Sequence, residues 1–463
     1  MTGPFPIPAA GFQWDPLTVE RFPNGLTVVV KEDHAAPLAV TDVWFGVGSR
    51  QETDDQSGTA HFLEHMLFKG TGRRGPGEIA AEIEAFGGRT NAGTSIDYTH
   101  YYIACESHSL AKALEIHADI FRNAALDPAA IEAERGVILE EIKRAQDTPS
   151  RVLWDSLCQE LFPRHPYRRP TLGTPETVRG KITPRSLREF FTTWYVPGNM
   201  AILVVGDVRT DEVLAQLRSW YGDLPAVAPP VTRLAPDELW TGCRTVRQEM
   251  DVDRGYLQLA FRTVSHANPE EAVGLDLLGV VAGLGRTSRL SVALREQASL
   301  VSQVGASQVT LIDDGMFMVR AEFDPADEDR VVDAVRAELA RLHREPLPAA
   351  EVQKAREYLE NLYLRSVETA EGKSEVLGNA VVRNALDEER HLLALVRSFT
   401  PERLQSLAAK HLAHDGHVLA TLGPRPRFTE LAPAPRRPGP VAGENAPAGP
   451  TAPVGGPPPL ATP

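Results

Sequence analysis

Cysteine is scarce in this 463-residue chain. Cys105, Cys158 and Cys243 lie far apart with no CxxC spacing, which excludes a disulfide framework and a paired thiolate site. A basic surplus is missing too. The formal net charge is −14, and without clustered Lys and Arg to displace counterions no nucleic-acid partner is expected. No stretch holds eighteen consecutive apolar residues, so no membrane span is expected. Residues 1–16 lack the basic region and apolar run of a signal segment. These absences point to the cytoplasm, or to the periplasm if a signal segment has been removed.

What is present is the balance of an ordinary globular protein, with 42% hydrophobic and 24% charged residues. The length exceeds what one core fills. β-branched content and alternation predict strands at 25–31, 39–47, 98–106, 200–206, 256–263, 315–323 and 416–422. Helical periodicity predicts helices at 59–68, 78–86, 109–122, 128–146, 210–221, 270–281, 288–297, 326–343 and 349–369. The order of elements recurs, which predicts an α+β fold of two homologous domains, each an antiparallel-rich sheet with helices packed on one face. The expected boundaries are an N-terminal extension at 1–20, a first domain at 21–223, a Pro- and Ala-rich linker at 224–243, a second domain at 244–428 and a tail at 429–463. The last 33 residues contain 11 prolines among many Ala and Gly, too little apolar surface to fold, so the tail is expected to be disordered.

The chemistry concentrates in HFLEH at residues 61–65. On a helix, residues four apart share a face, so His61 and His65 can converge on one metal while Glu64 borders the same face. Two imidazoles and one carboxylate suit zinc and leave a fourth position for water, with Glu64 as general base. The segment 134–141, ERGVILEE, offers Glu134, Glu140 and Glu141 as the third protein ligand. Glu134 and Glu141 lie two turns apart on the stripe of Ile131, Ile138 and Ile142, so both are expected to face the core, where a carboxylate must be paired or bind metal. Glu140 points elsewhere, four residues before Arg144, the spacing of a surface ion pair. Glu141 is the expected ligand, and Glu134 the carboxylate behind it that orients a histidine or the water.

With these residues in place the chain resembles the pitrilysin and mitochondrial processing peptidase family, the inverzincins, in which HxxEH precedes a ligand glutamate by some seventy-five residues. Here 75 residues separate His65 from Glu141. GTAHFLEHMLFKG at 58–70, GGRTNA at 87–92, YVPGNM at 195–200 and GD at 206–207 also resemble family positions, and the likeness spans roughly 20–425. It implies a zinc endopeptidase with one zinc per chain, a catalytic first domain and an inactive-type second domain, and a chamber of paired domains that admits unfolded peptides. The strand around Asn91 and Ala92 is then an edge strand that pairs with the substrate backbone. Members active as single polypeptides carry an Arg and a Tyr seven apart that stabilise the oxyanion. Arg295 stands at the Arg position, but Ser302 replaces the Tyr. That departure implies a heterodimer with a homologous subunit supplying Arg and Tyr, or a homodimer. A competing reading is a non-catalytic scaffold or assembly subunit, against which the complete set His61, Glu64, His65 and Glu141 argues.

Overall fold

The computed structural model describes residues 14–425 apart from 233, 235, 236 and 414. Most of the expected N-terminal extension and the whole of the expected tail lie outside the described residues. Six strands, β1 (Thr18–Arg21), β2 (Thr27–Glu32), β3 (Leu38–Phe45), β4 (Arg89–Thr94), β5 (Thr99–Glu106) and β6 (Met200–Gly206), form a sheet in the order β1-β2-β6-β3-β5-β4. Five more, β7 (Cys243–Met250), β8 (Gly255–Thr263), β9 (Val301–Thr310), β10 (Gly315–Phe323) and β11 (His417–Pro424), form a second sheet in the order β7-β11-β8-β10-β9. With β1 set aside the two sheets wind alike. In each, the first and last strands pair in parallel, β2 with β6 and β7 with β11, and every other pairing is antiparallel.

The helices fall into matching places. Between β3 and β4 lie α1 (Thr59–Leu67) and α2 (Glu78–Ala85). Between β5 and β6 lie α3 (Leu110–Asn123), α4 (Pro128–Gln146), α5 (Pro149–Leu161), α6 (Pro175–Gly180) and α7 (Pro184–Trp194), and α8 (Thr210–Tyr221) follows β6. In the second half α9 (Pro269–Gly283) and a π-helical stretch, Ser291–Gln297, separate β8 from β9. Five helices precede β11: α10 (Glu328–Arg344), α11 (Ala349–Ser366), α12 (Ala370–Val382), α13 (Leu386–Ser398) and α14 (Pro401–His411). None of the described helices is long and apolar enough to cross a membrane.

The strand period of two gives each sheet two apolar faces. In the first sheet Val28, Val30, Val43, Phe45, Ile202 and Val204 meet the helices of the same half, whereas Val29, Trp44, Ala201, Leu203 and Val205 point the other way. β6 is therefore apolar at almost every position, as a central strand covered on both faces must be. What covers the second face comes from the other half. Helix α12 packs on β3 and β6, with Leu377 fully buried beside Trp44, while α5 packs on β8 and β11 of the second sheet through Leu153, Leu157 and Leu161. Each sheet thus has its own half's helices on one face and a helix lent by the other half on the opposite face. The approach of α12 is close enough that a Cβ on Gly378 would sit about 2.1 Å from the Trp44 ring, so this position requires glycine.

Polar contacts lock the same junction. Arg50 pairs with Asp313 in the turn between β9 and β10, and His165 Nε2 lies 3.1 Å from the same carboxylate. Asp97 accepts hydrogen bonds from the Ile312 amide at 2.9 Å and the Tyr167 hydroxyl at 3.2 Å. The stretch between α8 and β7 is pinned as well, since Asp237 accepts from the amides of Arg164 (3.0 Å) and His165 (2.9 Å).

Candidate metal centre

Two helices build the site. Helix α1 begins at Gly58, whose φ of +92° only glycine adopts readily, and buries Ala60, Phe62, Leu63, Met66 and Leu67 against the first sheet. That burial fixes the rotation of the helix and leaves His61 and His65 side by side, ring centroids 4.7 Å apart and 68° between planes. Helix α4 is started by Asp127, whose carboxylate accepts from the amides of Ala129 and Ala130, with Pro128 in the first turn. Its buried stripe of Ile131, Glu134, Ile138 and Ile142 packs it beside α1.

Glu141 Oε2 lies 3.6 Å from His61 Nε2 and 3.5 Å from His65 Nε2. These separations are too long for good hydrogen bonds. They are close to the roughly 3.3–3.5 Å that separates ligand atoms sharing a tetrahedral zinc at about 2.0–2.1 Å. One ligand atom from each of the three residues lies within 4.8 Å of the other two. The donor set, two imidazole nitrogens and a carboxylate oxygen, fits zinc. Glu141 differs from the expectation of a core-facing carboxylate. Its side chain is 36% exposed, on the margin of a stripe that stays buried through Ile142.

Glu134 is buried, and its Oε1 accepts from His65 Nδ1 at 2.8 Å while Oε2 pairs with Lys69 at 2.6 Å. Burial alone would raise this carboxyl, but Lys69 and His65 outweigh it and hold Glu134 below its ordinary value. The hydrogen bond keeps the His65 proton on Nδ1 and turns the Nε2 lone pair towards Glu141. His61 is held neutral by a different route. Burial, with smaller contributions from His65 and Arg151, lowers its pKa to about 3, and its buried Nδ1 has no hydrogen-bond partner among the described residues. Glu64 sits beside the pair. Burial raises its pKa, and one of its oxygens accepts a short hydrogen bond from the Thr94 hydroxyl on β4.

Strand β4 is an edge of the first sheet, paired among the described residues with β5 alone. Ala92 and Thr94 face the helices, Ala92 against the core and Thr94 against Glu64, while Asn91 points to the opposite face and is exposed. Arg295 lies elsewhere, in the π-helical stretch that packs on β9 and α10, and its ion-pair partner is the adjacent Glu296 at 3.3 Å. Ser302 on β9 bonds to Glu322 of β10. Glu140 is exposed, but no ion pair joins it to Arg144. Two contributors escaped the sequence reading, Thr94 and Lys69. Neither has a periodic signature, since Thr94 lies on a separate strand and Lys69 lies two residues beyond the end of α1.

A doubled α+β frame with HxxEH on a helix of its first copy defines a metallopeptidase class. The comparisons agree with that class. The family model "Insulinase (Peptidase family M16)" matches residues 27–175, and "Peptidase M16 inactive domain" matches 181–359. An uncharacterized zinc protease of Mycobacterium leprae is 31% identical over 87% of this chain and 90% of its own length. The probable mitochondrial-processing peptidase subunit beta of Arabidopsis thaliana is 28% identical over 88% of this chain and 78% of its own length. A protease of Helicobacter pylori has a similar structure, with a TM-score of 0.83, 26% identity and coverage of 88% of this chain and 99% of that one. The chain belongs to peptidase family M16.

Proposed function

We propose that this protein is a zinc-dependent endopeptidase acting on unfolded peptides or precursor segments, with His61, His65 and Glu141 as the metal ligands and Glu64 as the general base. The observation that carries the reading is the convergence of both Nε2 atoms on Glu141 Oε2 at 3.5–3.6 Å, with Glu64 beside them and Glu134 bracing His65. Zinc, when bound, would lower the pKa of a water at its fourth position towards about 7 and polarise the scissile carbonyl. The chain's own residues do the rest. Glu64, its pKa raised by burial, takes the proton of the attacking water and passes it to the leaving amine. Thr94 holds one Glu64 oxygen and leaves the other without a hydrogen-bond partner among the described residues. The free edge of β4 offers main-chain donors and acceptors on which an extended peptide can pair, fixing register while reading few side chains.

Transition-state stabilisation by a partner follows from Ser302 and Arg295. Ser is too short to reach where a phenol would, and Arg295 is paired with Glu296. A homologous subunit, or a second copy of the chain, would supply the missing donors, and the similarity to a mitochondrial-processing peptidase beta subunit supports that arrangement. The test is Glu64→Gln in an assay on a mixed peptide library with and without chelator, alone and with any co-purifying subunit. Turnover should fall by about 10²–10⁴-fold with metal content unchanged. Turnover that survives the substitution removes Glu64 as base, and a wild-type chain without zinc in metal analysis leaves only the scaffold reading.

A further inference from the structure

The first turn of an α-helix leaves amide donors without partners, and the residue before it normally supplies a side-chain acceptor. Helix α1 cannot be served that way. Its N-cap is Gly58, where a Cβ would lie 2.8 Å from both Gly173 Cα and the Leu172 carbonyl oxygen, so no Ser, Asp or Asn fits. The first turn of α1 contains no acidic residue either. The acceptor comes instead from Glu52, in the loop before the helix. Its Oε2 accepts from the Gly58 amide at 2.9 Å and its Oε1 from the Ala60 amide at 2.8 Å. Glu52 is buried to 4% exposure, and Arg169, itself paired with Asp54, bonds to the Glu52 backbone carbonyl.

Building on the proposed zinc site, we infer that Glu52 is a positioning residue for it. The carboxylate grips both ends of the segment that enters α1 and so sets the rotation and height at which His61 and His65 meet Glu141. Ala60, one of the two amides held, immediately precedes His61. A buried carboxylate with one donor on each oxygen is a stiff two-point clamp, and a helix N-terminus favours its charge. Burial pushes the Glu52 carboxyl up to about 8 against the pull of the Ala60 and Gly58 amides and of Arg169. The two amide donors favour the ionised form and burial the protonated one, and in either form both oxygens accept. The same loop carries Arg50, which pairs with Asp313 of the second half, so the clamp joins the metal helix to the junction of the two halves.

The test uses the full chain and zinc alone as the probe, with affinity measured by competition against a chromophoric chelator. Glu52→Gln keeps size and shape but has one acceptor and sets an NH2 group against an amide N–H. Its zinc dissociation constant should rise about 10-fold or more, the usual effect of losing a residue that braces metal ligands. Glu52→Asp restores the charge one methylene short and should recover part of the loss; it also carries the measurement if the Gln variant does not melt cooperatively. Leu377→Ala, on the opposite face of the same sheet, is the control: it lowers stability and should leave zinc affinity within about twofold, since no zinc ligand touches it. Zinc affinities of the Glu52 variants within twofold of wild type, whatever their melting temperatures, overturn the inference. If the wild-type chain itself binds no zinc the metal reading fails first, whereas a wild type that binds zinc beside Glu52 variants that bind it equally well removes only the role of Glu52.

Discussion

The two halves share one winding and differ in what the helix after the second strand carries. In the first half that helix, α1, presents His61, Glu64 and His65. In the second half the helix in the same place, α9, is buried on nearly every side through Val273, Leu275, Leu277, Leu278, Val280 and Val281, and contains no histidine. A helix apolar all round is core rather than site. The edge strands differ in the same sense: β4 brings Thr94 to Glu64, whereas Ser302 of β9 bonds only within its own sheet. The doubled frame therefore keeps its packing in both copies and the HxxEH side chains in one, while the second copy lends α12 to the sheet that bears the candidate site.

The largest expected effect on folding tests whether that loan makes the halves one unit. Leu157 of α5 belongs by sequence to the first half but is fully buried against the second sheet. Leu157→Ala should cost about 2–5 kcal/mol. Hydrogen exchange should speed up in β8 and β11, which α5 covers, and the mirror substitution Leu377→Ala should do the same in β3 and β6. A loss confined to the half that contains the substitution would show that the exchanged helices do not couple the two sheets.

A smaller effect separates the two histidines within the site. His65 is braced through Glu134 and Lys69, whereas the buried Nδ1 of His61 has no hydrogen-bond partner among the described residues. Glu134→Ala should weaken zinc binding by about 10–100-fold, read by chelator competition. An unchanged affinity would mean that packing orients both rings and the Glu134 contact is incidental.

These comparisons also show what the chain discloses locally. Helix α4 was legible to the residue because Asp127-Pro128 is a start signal, and β6 because a strand covered on both faces is apolar without interruption. The spacing of His61, Glu64 and His65 alone places them along one side of a helix. β1 was missed, its first three residues placed in the N-terminal extension, and so were β7 and β9, which as edge strands carry Arg247, Glu249, Gln303 and Gln308 among few large apolar residues. The lent helices α5 and α12 were not predicted at all, and even the stripe Leu153, Leu157, Leu161 does not say which sheet will bury it. Glu52 was hidden likewise, because a remote cap eight residues from its amide has no period, and Glu141 was misjudged because it lies on the margin of the buried stripe rather than at its centre.

The smallest effect concerns the polar lock between the halves, and its sign follows from titration. Burial alone would raise the Asp313 carboxyl, but His165 and Arg50 outweigh it and hold Asp313 well below the ordinary carboxylate range. An unfolded chain protonates this aspartate near pH 4, whereas the folded one resists until the pH is lower. Its contribution is therefore present in full above pH 4 and lost as the pH falls through the depressed value. Asp313→Asn should cost about 1.5–3 kcal/mol near neutrality, the range for hydrogen bonds to charged groups. The gap in melting temperature from wild type should begin to shrink below pH 4 and close only as the pH falls through the depressed value, where folded wild type loses the charge too. A gap that stays constant or widens in acid would mean that the Arg50 and His165 contacts hold the halves by shape and not through the charge of Asp313.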